Sequence, residues 1–143
     1  VVTILALDIG RVRTGLAVSD PSGRVATAVK VLLTDKITSR SSEFLHVLDD
    51  YDVTSLLVGL PVSLNGEEHS QANWVRGTAE SIAGLVGLPL VFYDERRSTV
   101  QAEELLREMG YNAKTMREKI DMVAAGVFLQ SYLDSQSDKD GTL

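Results

Sequence analysis

Three apolar, β-branched runs follow one another within the first 33 residues: VTILALDI (2–9), TGLAVSD (14–20) and VATAVKVLL (25–33). Only turn chemistry separates them, Gly10 to Arg13 in the first gap and Asp20-Pro21-Ser22-Gly23 in the second. A parallel pair needs a crossover of a dozen or more residues, so connections this short dictate an antiparallel meander. The rhythm then changes. Two further strand-like runs, TSLLVGLP (54–61) and PLVFYDE (89–95), alternate with stripes of helical spacing. Ile37, Ser41, Phe44, Leu45 and Leu48 predict a first helix, and Trp74, Val75, Thr78, Ile82, Leu85 and Val86 a second. Ser98 and Gln101 have capping-box spacing ahead of a third, which Gly110 stops, and Thr115 with Glu118 opens a fourth that runs to about Leu133. The order β-β-β-α-β-α-β-α-α predicts an α/β protein, a mixed sheet of three antiparallel strands and then parallel strands with helices packed on it. One domain over 1–133 is expected, followed by a polar, Ser/Asp-rich tail (134–143) whose composition predicts disorder.

Composition narrows the chemistry. The chain has no cysteine, which removes disulfides, thiolate catalysis and Cys-ligated metals, and its two histidines, His46 and His69, do not make a His-rich site. No apolar run approaches the ~20 residues a membrane span requires. VVTILALDIG lacks a signal peptide's basic start and cleavage site, so a soluble cytoplasmic protein is expected. The net charge of −6 opposes nucleic acid on average field. Positive charge is nonetheless local: Arg11 and Arg13, the adjacent Arg96 and Arg97, and Lys114, Arg117 and Lys119 form clusters, while acids gather at Asp49, Asp50 and Asp52 and in the tail.

Acids at element ends carry the chemical signal. Asp8 closes the first strand, Asp94 and Glu95 close the last, and Asp121 lies early in the final helix with Ala124, Ala125 and Phe128 at i+3, i+4 and i+7. Sites in open α/β sheets form beyond the carboxyl ends of strands. Taken singly, Asp8 reads as a turn former, Asp94 as a helix cap and Asp121 as a buried partner for an arginine. If they converge, two carboxylates ~4 Å apart repel by ~4 kcal/mol at an effective dielectric of 20, which calls for a cation or raised pKa values. Mg²⁺ or Mn²⁺ suits such an oxygen-only donor set and can activate water for phosphodiester hydrolysis. Strand alternation sends Asp94 and Glu95 to opposite faces, so only one of them is expected to be a direct ligand; both stay candidates, with Glu95 preferred.

LALDIGRVRTGLAVSD, LLVGLPVSLNGEEHSQA, YDERRSTVQAEELL and KIDMVAAGVFLQSYL, in that order, resemble the YqgF/RuvX family of pre-16S rRNA nucleases, also called Holliday junction resolvases. The resemblance covers about Leu5 to Leu133. It implies an RNase H-like fold related to the RuvC resolvases, with acids that coordinate divalent metal. It also implies a nuclease in 5′ maturation of pre-16S rRNA during ribosome biogenesis. The family's first-strand Asp falls on Asp8, its DER segment on Asp94, Glu95 and Arg96, and its late-helix Asp on Asp121. Two departures stand out. Val12 occupies a position where many members are basic, and Gly59-Leu60-Pro61 stands where RuvC-type resolvases have a Glu after the middle strand; Glu67 and Glu68 lie downstream.

The leading expectation is a Mg²⁺- or Mn²⁺-dependent nuclease. Asp8, Glu95 and Asp121 would hold the metal, Asp94 is a further catalytic candidate, and Arg11, Arg13, Arg96 and Arg97 would steer phosphates of a structured RNA precursor. The alternatives are a junction resolvase acting on branched DNA as a symmetric dimer, an RNA-binding assembly factor without catalysis, and an ATP-binding module suggested by ALDIG with TG. A single domain supplies only one of the two halves such nucleotide sites use. A monomer and a homodimer are both compatible with the RNA reading. Pro61–Ser70 reads as a flap or a plain connection, His69 as a solvent-exposed bystander, and Trp74 as core rather than a base-stacking platform.

Overall fold

The computed structural model describes residues 2–61, 70–94 and 104–139, the side chains of 113–122 and 137–139 excepted. Strands β1 (Ile4–Ile9), β2 (Arg13–Ser19) and β3 (Ala26–Leu33) form the antiparallel meander that the short turns dictate. Helices α1 (Thr34–Thr38) and α2 (Ser42–Asp50) lead to β4 (Ser55–Leu60), which pairs parallel with β1. Helix α3 (Ser70–Val86) leads to β5 (Leu90–Asp94), parallel to β4. A helical segment described over 104–108, α4, precedes the long α5 (Ala113–Lys139). The sheet order is β3-β2-β1-β4-β5.

Alternation along the strands divides the core in two. Leu5, Leu7 and Ile9 share one face with Leu56, Val58 and Leu60, under Ile37 of α1, Phe44 and Val47 of α2, and Val75, Ala79 and Ile82 of α3. Ala6, Ala17 and Leu57 lie on the other face, covered by Ala125, Phe128, Leu129 and Leu133 of α5. The alanines on that face leave little bulk between helix and sheet, and the large α5 residues fill the gap. Each such side chain fully withdrawn from water contributes roughly 1.5–3 kcal/mol.

Several helix limits differ from the sequence expectation. The first helix is two, because Arg40 takes a left-handed φ of 56° between them. Ser41 then caps α2, its hydroxyl accepting from the Phe44 N–H, instead of joining the apolar stripe. Leu85 is exposed; Ala72, Val75, Ala79 and Ile82 are the buried positions of α3. Gly110 does end α4, at φ 89°. Helix α5 begins at Ala113, two residues ahead of Thr115, and continues past Leu133, through positions assigned to the disordered tail. Local bonds sustain that extension: the Gln130 amide donates to Asp134 Oδ1 at 3.0 Å and the Ser135 hydroxyl to the Tyr132 carbonyl at 2.7 Å. The capping box at Ser98 and Gln101 lies outside the described residues.

Candidate functional site

Because β1, β4 and β5 run parallel, their carboxyl ends share one edge of the sheet. Asp8 stands there, half-buried, one residue before the end of β1 and on the α5 face with Ala6. Its partner on β2 is Gly15. On the other side, Leu7 pairs with Val58, so Gly59 follows at the level of Asp8 and is itself opposite Tyr93. Residues directly opposite share a face. The positions level with Asp8 on both neighbouring strands are therefore glycines, and beyond Gly59 stands Tyr93, which stacks on Phe128 of α5 at 6.3 Å.

The turn after Asp8 is held from several sides. Gly10 N–H donates to the Arg13 carbonyl at 2.9 Å, and a Cβ on Gly10 would lie 2.6 Å from that oxygen, so the turn requires glycine. Thr34 clamps it from behind: its N–H donates to the Val12 carbonyl at 2.8 Å and its hydroxyl to the Gly10 carbonyl at 2.6 Å. The buried Thr14 hydroxyl completes the network, 2.9 Å from that of Thr34. With the backbone fixed, Arg11, Val12 and Arg13 are presented to solvent. Arg11 lies over the Trp74 ring, 4.5 Å from its centroid.

Asp94 is opposite Leu60, on the face that carries Leu90 and Phe92 and away from Asp8. On that face Arg76 covers the Phe92 ring at 4.6 Å. Asp121 falls within α5, one turn before the buried Ala124 and Ala125 and two before Phe128; its side chain, with Glu67, Glu68, His69, Glu95, Arg96 and Arg97, lies outside the described residues. Among the described residues no three acids or histidines form a metal-holding group. His46 is exposed on α2, remote in sequence from Asp8, Asp94 and Asp121. Trp74 is half-buried against the core, as expected, but also carries Arg11. Sequence reasoning did not reach the Thr14–Thr34 clamp or the glycines beside Asp8. Only the TG step at Thr14-Gly15 hinted at either.

The profile of a family described as RuvX, Holliday junction resolvase, matches residues 2–135. A protein of Roseiflexus sp. (strain RS-1) named "Putative pre-16S rRNA nuclease" is 36% identical over 133 residues, 93% of this chain and 94% of that one. A protein of the same name from Anaeromyxobacter sp. (strain K) is 39% identical over 133 residues, 93% and 97% of the two chains. Among solved structures, T. thermophilus RuvC in complex with Holliday junction substrate superposes with a TM-score of 0.56 at 15% identity, covering 96% of this chain and 97% of that one. Fowlpox virus resolvase with substrate Holliday junction DNA gives 0.57 at 12% identity, covering 94% and 98%. These likenesses show the fold: an RNase H-like mixed sheet with helices on both faces.

Proposed function

The chain belongs to the RuvX family, and on that footing we propose that it is a divalent-metal-dependent nuclease that hydrolyses phosphodiester bonds in 5′ maturation of pre-16S rRNA. The observation that carries the reading is Asp8, half-buried at the carboxyl edge of a mixed sheet between Gly15 and Gly59, beneath the helix that bears Asp121. A carboxylate flanked by glycines on both neighbouring strands suits a small hard cation and a phosphate oxygen. The relatives' name supports RNA precursor as substrate.

Asp8, Glu95 and Asp121 would hold Mg²⁺ or Mn²⁺. Glu95 takes precedence over Asp94 because Asp94 stands on the face away from Asp8. Reach supports Asp121. Gln130 is bonded at the start of β3, accepting from the Ala26 N–H at 2.9 Å and donating to the Arg24 carbonyl at 2.8 Å. That end of β3 lies beside Ser19, whose hydroxyl accepts from the Ile4 N–H where β1 begins. The nine residues of helix from 130 back to 121 span ~13 Å, as do the four strand residues from Ile4 to Asp8. The bound ion would lower the pKa of a water and offset charge on the leaving oxygen. Arg11 and Arg13, exposed on the turn that follows Asp8, attract the phosphate backbone to an otherwise acidic chain.

The test is cleavage of a single-stranded RNA carrying the precursor 5′ junction, a duplex and a four-way DNA, with Mg²⁺ or Mn²⁺. Wild-type protein is expected to cut the RNA, and Asp8→Asn and Asp121→Asn to lose ~10²-fold or more in rate, as for loss of a group that stabilises developing charge. Preference for four-way DNA would favour the resolvase reading. Binding without metal-dependent cleavage, or cleavage that survives both substitutions, would leave an RNA-binding assembly factor.

A further inference from the structure

Arg11 does not simply extend into solvent from the hairpin tip. Its backbone is fixed by the Thr34 clamp and its guanidinium lies on the Trp74 ring. Trp74 belongs to the first turns of α3 and is half-buried against the core formed with Val75 and Ile82. The contact therefore joins the β1–β2 turn to the amino-terminal end of α3, and Asp8 is only three residues away along the chain. Among the described residues Arg11 forms no ion pair.

Stacking on an aromatic face occupies the π surface of a guanidinium, while its five N–H donors lie in its plane and stay directed outward. Such a stack leaves bidentate phosphate recognition intact. It also removes part of the rotamer entropy that a free arginine loses when it takes a ligand. Core packing alone does not require a tryptophan that also supports a cation, since a leucine would fill the same apolar position. We propose that Trp74 is a positioning residue for nucleic-acid binding: it holds the Arg11 guanidinium flat at the carboxyl edge of β1, where it takes a backbone phosphate of a strand passing to Asp8. The inference rests on the nuclease reading and assigns that site one preformed phosphate contact.

Counterion release makes this measurable. Binding of a single-stranded RNA oligonucleotide by the full chain, in EDTA to prevent cleavage, is followed across a salt series. Each single-strand phosphate contact contributes about 0.7 to the slope of log K against log salt. Arg11→Ala and Trp74→Leu are each expected to flatten the slope by about that amount. Trp74→Phe, which keeps an aromatic face, is expected to retain most of it, and Trp74→Leu added to Arg11→Ala to change nothing more. Trp74 is the sole tryptophan, so its emission gives a second readout that needs no substitution of the ring. RNA should perturb it in the wild-type chain and fail to do so in Arg11→Ala. Metal-dependent cleavage by wild-type protein, measured alongside, separates the two hypotheses. Cleavage together with an unchanged slope in Trp74→Leu, or an emission response that persists in Arg11→Ala, overturns the positioning role alone. Absence of both binding and cleavage overturns the nuclease reading and this role with it.

Discussion

A single threonine, Thr34, sets the shape of the turn that presents Arg11 and Arg13. Its hydroxyl bonds both the Gly10 carbonyl and the Thr14 hydroxyl in a buried setting. Thr34→Val keeps the volume and removes that oxygen, leaving the Thr14 hydroxyl and the Gly10 carbonyl short of a partner. The expected cost is ~1–3 kcal/mol in urea unfolding, with weaker RNA binding, while Thr34→Ser should recover most of both. Asp20 gives a residue-scale prediction of a different kind. The Ser22 hydroxyl first, and then the Val25 and Arg24 backbone N–H groups, hold its carboxyl at about 2 instead of the ordinary 3.8. A lowered folded-state pKa favours the folded chain above about pH 4, and that contribution disappears as pH falls through about 2. Asp20→Ala should therefore melt below wild type at pH 5 to 7, and the difference should narrow steadily as pH falls from about 4 through about 2 when melting temperatures are compared along the pH series.

At the scale of elements, α5 determines whether the distant acids can meet. Gln130 ties it to the start of β3 through the Ala26 N–H and the Arg24 carbonyl. Gln130→Ala removes both bonds and should cost ~1–3 kcal/mol; Phe128→Ala, which empties a fully buried site beside Tyr93, should cost ~3–5 kcal/mol in the same urea titration. The strands were readable in advance because a half- or fully buried strand must be apolar and β-branched, and Asp8 was visible as the acid interrupting such a run. The break between α1 and α2 was not. Ser41 has the spacing of a stripe member, and only the left-handed Arg40 before it shows that it caps a new helix. The face of Asp94 followed from alternation once β5 was located, whereas its assignment away from Asp8 needed the β4 register. Thr34 and the Arg11–Trp74 stack left no pattern to read, because each joins residues far apart in sequence through contacts that any threonine or arginine could make elsewhere.

For the molecule as a whole, metal binding and folding are linked if Asp8, Glu95 and Asp121 converge, and the linkage separates a metal centre from an ordinary buried ion pair. Without metal, carboxylates ~4 Å apart oppose folding by up to ~4 kcal/mol for a pair. Asp8→Asn relieves that repulsion and should raise the melting temperature in EDTA. With Mn²⁺ at about a hundred times its dissociation constant, the wild-type chain gains ~2.7 kcal/mol from binding to the folded state alone. For a chain of this length that corresponds to roughly 5–10 °C. Asp8→Asn and Asp121→Asn should gain far less. The two series must therefore cross: each variant above wild type in EDTA, and below it in Mn²⁺. A carboxylate that instead pairs with an arginine gives the opposite first result, since its loss leaves a buried guanidinium uncompensated and lowers the melting temperature whether or not metal is present. Thermal denaturation of three proteins under two conditions thus decides the chemistry at Asp8 independently of any substrate.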